Sequence, residues 1–174
     1  DMDLSIIILN YNAKRFLPAC LKSIKLTDDI GYEIIVVDNN STDGSVEFLK
    51  SLITHHSLPI RVIFNDRNLG FAKANNQGIK IAQGKYILLL NSDTVVKPNA
   101  LKTLVDFMEK NPKVIAVSPM LLNPDGSQQI DYYMKFPNPL QVFCYHNAPL
   151  RALAMKTPLK SLIVSHFPDV DQLP

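Results

Sequence analysis

Four polar clusters in this sequence each sit directly behind an apolar run: Asn10-Tyr11-Asn12 behind LSIIIL, Asp38-Asn39-Asn40 behind EIIVV, Asn65 to Gly70 behind IRVIF, and Asn91-Ser92-Asp93 behind YILLL. Three of the four carry a carboxylate. A carboxylate is a hard oxygen donor suited to Mg2+ or Mn2+, an amide both donates and accepts, and a tyrosine offers a flat aromatic face. One such cluster alone is explained by turn chemistry, because Asn, Asp, Ser and Gly cap helices and tolerate unusual backbone angles. Asp43, ahead of Gly44 at the head of a helix, is read in that way. Four clusters behind successive strands ask for more, since turns do not require carboxylates along the rim of a single crevice.

The residues that are missing narrow the chemistry. NYNAKRF, behind the first apolar run, contains no glycine, so a dinucleotide nest is absent. There is no Gly-Lys-Ser or Gly-Lys-Thr phosphate loop and no Gly-x-Ser-x-Gly nucleophile turn. A bound pyrophosphate then needs another neutralising group. A divalent cation on a strand-end carboxylate supplies it, and Asp93 is the natural holder.

The elements that position these clusters follow from periodicity. Short apolar, β-branched runs predict five strands, at Leu4–Leu9, Glu33–Val37, Ile60–Phe64, Tyr86–Leu90 and Val114–Val117. Helical stripes lie between them: Phe16, Leu17, Cys20, Leu21 and Ile24; Val46, Leu49 and Ile53; a less regular one over Gly70–Ala82; and Leu101, Leu104, Val105 and Met108. Pro98 suits a first helical turn. Alternating strands and helices predict an α/β fold with a largely parallel sheet covered on both faces, and in such sheets ligands bind beyond the carboxyl ends of the strands. All four polar clusters stand there.

Composition sets the outer bounds. A chain of 174 residues, close to half of them apolar, buries one sizeable core. A net charge of +2, with no basic block, argues against nucleic acid as a partner. The two cysteines lack metal-ligand spacing, and Cys20 reads as a small buried hydrophobe on a helix. His55 and His56 follow a helix end, where they favour its dipole, and no histidine has a spaced partner. The sequence has no membrane-span-length apolar stretch and no leader pattern, so a cytoplasmic location is expected.

In this order, LSIIILNYN, EIIVVDNNSTDGS, NLGFAKANNQGI and GKYILLLNSDTVV resemble the nucleotide-binding half of family 2 glycosyltransferases, which have the GT-A fold, a Rossmann-like, mostly parallel sheet with helices on both faces. The pattern is most like the rhamnosyltransferase-like members, in which an NPDGS segment, here Asn123 to Ser127, also follows the core. The resemblance covers about residues 3 to 128. It implies that Tyr11 packs on the nucleotide base, with Leu9 and Asn10 lining the site, and that the pair Asp38-Asn39 reads the base. An amide at the second position leaves the base preference open. It implies further that Gly70, Asn75 and Asn76, followed by Gly78, help to wrap the donor. Lys73 offers a charge nearby, or simply a solvated helix face. Ser92 and Asp93 align with the end of the family's Asp-x-Asp signature, which makes Asp93 the ligand of Mg2+ or Mn2+.

The activity so implied is inverting transfer of a sugar from a UDP- or dTDP-linked donor to a hydroxyl of a glycan or lipid-linked acceptor, in polysaccharide or cell-surface glycan biosynthesis. The family's catalytic base comes from a later Glu-Asp segment behind a Trp- and Gly-rich stretch. This chain has no Trp, and Asp169-Val170-Asp171, framed by prolines, comes too early, so the base is expected beyond residue 174. The expected organisation is a donor-binding core over 1–128 and an irregular, proline-rich extension over 129–174 that begins an acceptor region. Residues 150–166 mix Arg151, Lys156 and Lys160 with apolar side chains, which raises a peripheral position at the inner membrane face against the alternative of a packed segment broken by Pro158. Two other activities stay open: a donor-binding module without transfer, and a sugar nucleotidyltransferase, which wants the glycine-rich first loop this chain lacks.

Overall fold

The computed structural model describes residues 2–25, 30–54 and 59–129. The expectations for His55 and His56, Cys144, the 129–174 extension and Asp169-Val170-Asp171 lie outside the described residues, except for residue 129 itself. Strands and helices alternate as β1 (Leu4–Asn10), α1 (Leu17–Lys25), β2 (Tyr32–Asp38), α2 (Ser45–Thr54), β3 (Ile60–Phe64), α3 (Phe71–Ile81), β4 (Tyr86–Asn91) and α4 (Ala100–Lys110). The chain divides into two compact units, Asp1–Pro119 and Met120–Pro174. All eight elements fall in the first.

The four strands form one sheet in the order β3-β2-β1-β4, and every neighbouring pair is parallel. Alternation along β1 and β2 divides the core in two. Leu4, Ile6 and Ile8 of β1, with Ile34 and Val36 of β2, pack on Leu17, Cys20, Leu21 and Ile24 of α1, Leu49 of α2, and Leu101 and Val105 of α4. Ile7, Ile35 and Val37 pack on Ala74 of α3. Helices thus lie on both faces, and the central pair β1 and β2 is the most completely buried part of the molecule.

Four features depart from the sequence pattern. Val114–Val117 pairs with no strand among the described residues, and Ile115 is 97% exposed. The run is apolar, but Pro112 and Pro119 bracket it and no sheet edge receives it; periodicity reports the run, not the presence of an edge. Second, β4 is an apolar run but lies at the sheet's edge: among the described residues it pairs with β1 alone, and Ile87 and Leu89 on its α3 side are nearly half exposed. Third, the buried stripe of α2 runs through Ser45 and Leu49, flanked by Phe48 and Leu52, while Ile53 is exposed. Pro98 also stands one residue ahead of the cap Asn99 and not in the first turn of α4.

The end of the sheet away from the polar clusters is fastened by a buried polar knot. Glu33, 5% exposed, accepts hydrogen bonds from Ser5 Oγ at 2.6 Å and from the Gln83 N–H at 2.7 Å, and pairs with Arg61. Ser5 Oγ in turn accepts the Gly84 N–H at 2.8 Å. The α3–β4 connection is thereby pinned to the starts of β1 and β2. Burial works to raise the Glu33 pKa, but the donors Ser5, Gln83 and Arg61 outweigh it and hold the carboxyl below its ordinary value. A carboxylate with a depressed folded pKa contributes stability that is present above its unfolded value and lost as pH falls through the folded one. Chemical denaturation of the wild type and of Glu33→Gln should therefore differ by about 2 kcal/mol at neutral pH, and the gap should close as the solution is acidified below pH ~4. A gap independent of pH would show that ionised Glu33 does not hold the knot.

In the second unit, Asn123–Ser127 forms a tight reversal. The Gly126 N–H donates to Asn123 O at 2.9 Å, Asp125 Oδ1 accepts from the Ser127 N–H and Oγ, and Leu122 bridges Gln128 antiparallel. Gly126 has φ of 86°, a left-handed angle that a side chain would strain. Among the described residues no helix is long and apolar enough to cross a membrane.

Candidate functional site

Register brings the strand ends to one rim. Asn10 stands opposite Asp38, Leu9 opposite Asn91, and Asp38 opposite Phe64, so the clusters after β1, β2, β3 and β4 emerge along the same carboxyl edge. The outer two are far apart. Asp66, behind β3, and Asp93, behind β4, stand three strand spacings apart, roughly 14 Å, and cannot share one ion.

The side chains on this rim form two groups, those turned inward as framework and those left exposed. Asp38 is 1% exposed; its Oδ2 accepts Asn10 Nδ2 at 2.7 Å and its Oδ1 accepts the Ser41 N–H at 2.9 Å. Asn10, fully buried, also donates to Ser41 Oγ at 3.1 Å, and that hydroxyl accepts the Asn12 N–H. With Nδ2 taking both acceptors, Asn10 Oδ1 has no partner in the described residues. Asn39 is 2% exposed and bonded to the loop behind β3. Asn75 is buried against the Phe71 carbonyl one turn back. Leu9 is half-buried beside the α3-side core.

Tyr11 is 50% exposed, directly beyond β1. Gly70 is exposed with φ of 79° at the cap of α3. Asn76 is exposed and lines an open depression along α3 with Leu69, Lys73, Gln77, Ile79 and Lys80. Ser92 is buried and Asp93 exposed in a turn closed by the Thr94 N–H on Asn91 O at 3.2 Å. This turn is moored on α1: Cys20 Sγ approaches Asn91 O at 3.7 Å, and Ser23 Oγ accepts the Val96 N–H at 3.0 Å.

Electrostatics separate the acidic groups. Asp43 is a turn residue, as expected: Oδ1 accepts Ser45 N–H and Oγ, and Oδ2 accepts the Lys14 N–H at 2.7 Å. Burial opposes its ionisation, but these donors prevail and lower its pKa. It also latches the β1–α1 loop to the head of α2. The Cys20 thiol is pushed up to about 12, first by burial and then by the negative charge of Asp93, which makes it an inert core residue. The Asp93 carboxylate itself accepts no hydrogen bond and enters no ion pair among the described residues. It is an uncommitted carboxylate on a turn bonded to α1.

Among the described residues no three His, Cys, Asp or Glu side chains converge on a metal position. This excludes a closed, all-protein cage there. It fits Mg2+ or Mn2+ held by one carboxylate and completed by phosphate oxygens and water, a donor set these ions accept. Asp93 meets that requirement.

Sequence reasoning missed the framework residues Ser41, Asn68 and Gln77. Ser41 had a signal, since a serine three residues after Asp38 is the spacing at which an aspartate accepts a backbone N–H. Asn68 had a local signal too, the asparagine two residues ahead of the Gly70 N–H that it accepts, while Gln77 had none, because its partner Asn65 is distant in sequence.

The glycosyl transferase family 2 model matches residues 5–161. Glycosyltransferase GlyG of Streptococcus pneumoniae is 34% identical over 113 residues, covering 64% of this chain and 37% of GlyG. Among solved structures, S. aureus TarS 1–349 in complex with UDP-GlcNAc matches with a TM-score of 0.58 and 26% identity, over 64% of this chain and 32% of that one. The mannosyltransferase PcManGT of Pyrobaculum calidifontis, in complex with GDP-Man and Mn2+, matches with a TM-score of 0.63 and 25% identity, over 70% and 36% of the two chains. The chain spans about a third of the length of these relatives. With a parallel GT-A-type sheet, polar strand ends on one rim and a family match over most of its length, the chain belongs to glycosyl transferase family 2.

Proposed function

We propose that this chain is the donor-binding part of an inverting glycosyltransferase that uses a nucleotide-diphosphate sugar, UDP- or dTDP-linked, together with Mg2+ or Mn2+. The acceptor is a hydroxyl of a glycan or lipid-linked glycan, and the product belongs to polysaccharide or cell-surface glycan synthesis at the cytoplasmic side. The observation that carries this reading is the uncommitted, exposed Asp93 carboxylate on the same rim as the exposed ring of Tyr11. The nucleotide sugars held by TarS and PcManGT support the donor class, and the Mn2+ of the latter supports a cation.

In this reading the Tyr11 ring stacks on the base. Asp38 and Asn10 hold the floor beneath it by bonding to each other and to Ser41, without touching the donor. A divalent cation, when bound, supplies charge stabilisation for the departing diphosphate, and Asp93 holds it. The acceptor proton goes to a base outside the described residues.

Calorimetry with UDP, dTDP and GDP, with and without Mn2+, tests the reading. At least one nucleotide should bind, and only with the cation at full strength; no binding of any would remove the proposal. Tyr11→Phe should bind within about 3-fold of the wild type, because the ring remains, and Tyr11→Ala should lose about 10-fold or more. Equal behaviour of the two would remove Tyr11 from the base site. Transfer or hydrolysis of the sugar, assayed beside binding, separates an active enzyme from a module that binds without turnover.

A further inference from the structure

Asn39 occupies the strand end where a base-reading group is expected, yet its oxygen and one of its two amide hydrogens are already engaged by the neighbouring loop. Its Oδ1 accepts Asn65 Nδ2 at 3.1 Å and the Leu69 N–H at 2.9 Å, and its Nδ2 donates to Asn68 Oδ1 at 2.7 Å. Asn68 Oδ1 also accepts the Gly70 N–H at 2.8 Å. Asn65 closes the chain through a reciprocal amide pair with Gln77 on α3, both bonds at 2.9 Å. The two backbone N–H groups cannot reverse, so they fix which end of each amide is oxygen. The connection from β3 to α3 is therefore held on one side by the Asn39 side chain, and on the other by the Asn65–Gln77 pair and the Asn65 N–H on the Asp38 carbonyl.

A carboxylate does not replace this amide. At position 39 it would keep the two bonds it accepts, but it has nothing to donate to Asn68. Asn68 would have to turn its NH2 toward the carboxylate and so present N–H to the Gly70 N–H, leaving that donor unsatisfied at a cost comparable to a lost hydrogen bond. The requirement for both donor and acceptor at residue 39 thus comes from the loop. Resting on the reading that this rim holds a nucleotide, we propose that Asn39 is a positioning residue: it sets the Asn65–Gly70 loop and the cap of α3, and influences the donor through them, without reading the base.

Hydrogen exchange on the full chain tests the loop independently of any ligand. Asn39→Ala should speed exchange at the Leu69 and Gly70 amides by about 10-fold, while amides within β1 stay protected. Asn39→Asp should keep Leu69 slow and release Gly70, because only the donor is lost. Unchanged exchange at both amides in Asn39→Ala would overturn the proposal. The second readout is affinity for UDP, dTDP and GDP with Mn2+. Asn39→Ala and Asn68→Ala should each weaken every nucleotide that binds by one common factor of about 10, and the double variant should be no weaker than either. A loss confined to one base would make Asn39 a direct base contact and overturn the proposal. If the amides respond as stated but the wild type binds no nucleotide, the loop assignment stands and the donor reading falls. Should Asn39→Ala fail to fold, Asn39→Asp and Asn68→Ala carry the same comparison.

Discussion

Asp93→Ala should lose Mn2+-dependent nucleotide binding by about 100-fold or more while its melting temperature stays close to that of the wild type. The two halves of this expectation have separate causes. The carboxylate is exposed and forms no bond within the described residues, so its removal leaves no buried partner unsatisfied and changes stability by no more than about 0.5 kcal/mol. The turn beneath it stays moored through Ser23 and the Asn91 carbonyl, neither of which involves the Asp93 side chain. With Asp66 and Asp43 too far away or already bonded, no neighbour takes over the cation. Asp93→Asn is the sharper variant, because it preserves the shape and deletes only the charge. Titration of each variant with Mn2+ in the presence of UDP checks the result. Cation-dependent binding that persists in both would move the metal away from this strand end.

Gly84→Ala should be strongly destabilising, costing about 3 kcal/mol and about 10 °C of melting temperature. A Cβ at this position would lie 2.4 Å from the Ser5 nitrogen and 2.6 Å from the Leu4 carbonyl carbon. Both are backbone atoms of β1, paired with β2 and β4 on either side, so neither can retreat. Relief has to come from the connection itself, and moving it breaks the Gly84 and Gln83 bonds to Ser5 and Glu33. At Gly78 the same added carbon meets the Ile7 side chain and not backbone; Ile7 is fully buried and stiff at χ1, so Gly78→Ala should also be costly, though less so than Gly84→Ala. Thermal melts of the two variants in parallel check the ranking. A wild-type melt for Gly84→Ala would mean that the connection does not lie against β1.

The sequence was most informative where side-chain period and burial coincide. β1 and β2 are buried on both faces and read as short apolar runs, Ile6–Leu9 and Ile34–Val37, each preceded by one polar residue, and their residues fall where the runs placed them. Val114–Val117 failed because pairing needs a partner edge, which no local pattern encodes. For the site, the strand-end rule located the rim, and Asp93 was legible as a lone acid behind an apolar strand. The division between framework and exposed groups was not legible. Asp38 and Asp93 look alike in the sequence, but one is bonded beneath Asn10 and the other is free, and the difference arises from a serine and an amide on other segments. Asn75 and Asn76 are adjacent and helical, and the phase of α3 turns Asn75 toward the sheet and Asn76 toward solvent.

The placement of the Ser5–Glu33–Arg61 knot at one pole and the amide-held loop at the other gives the domain a rigid foot and an adjustable lip. Exchanging lip residues leaves the foot's bonds untouched. A fold arranged in this way confines the consequences of a substitution at its lip to the loop and the cap of α3, and spares the bonds that fasten its foot.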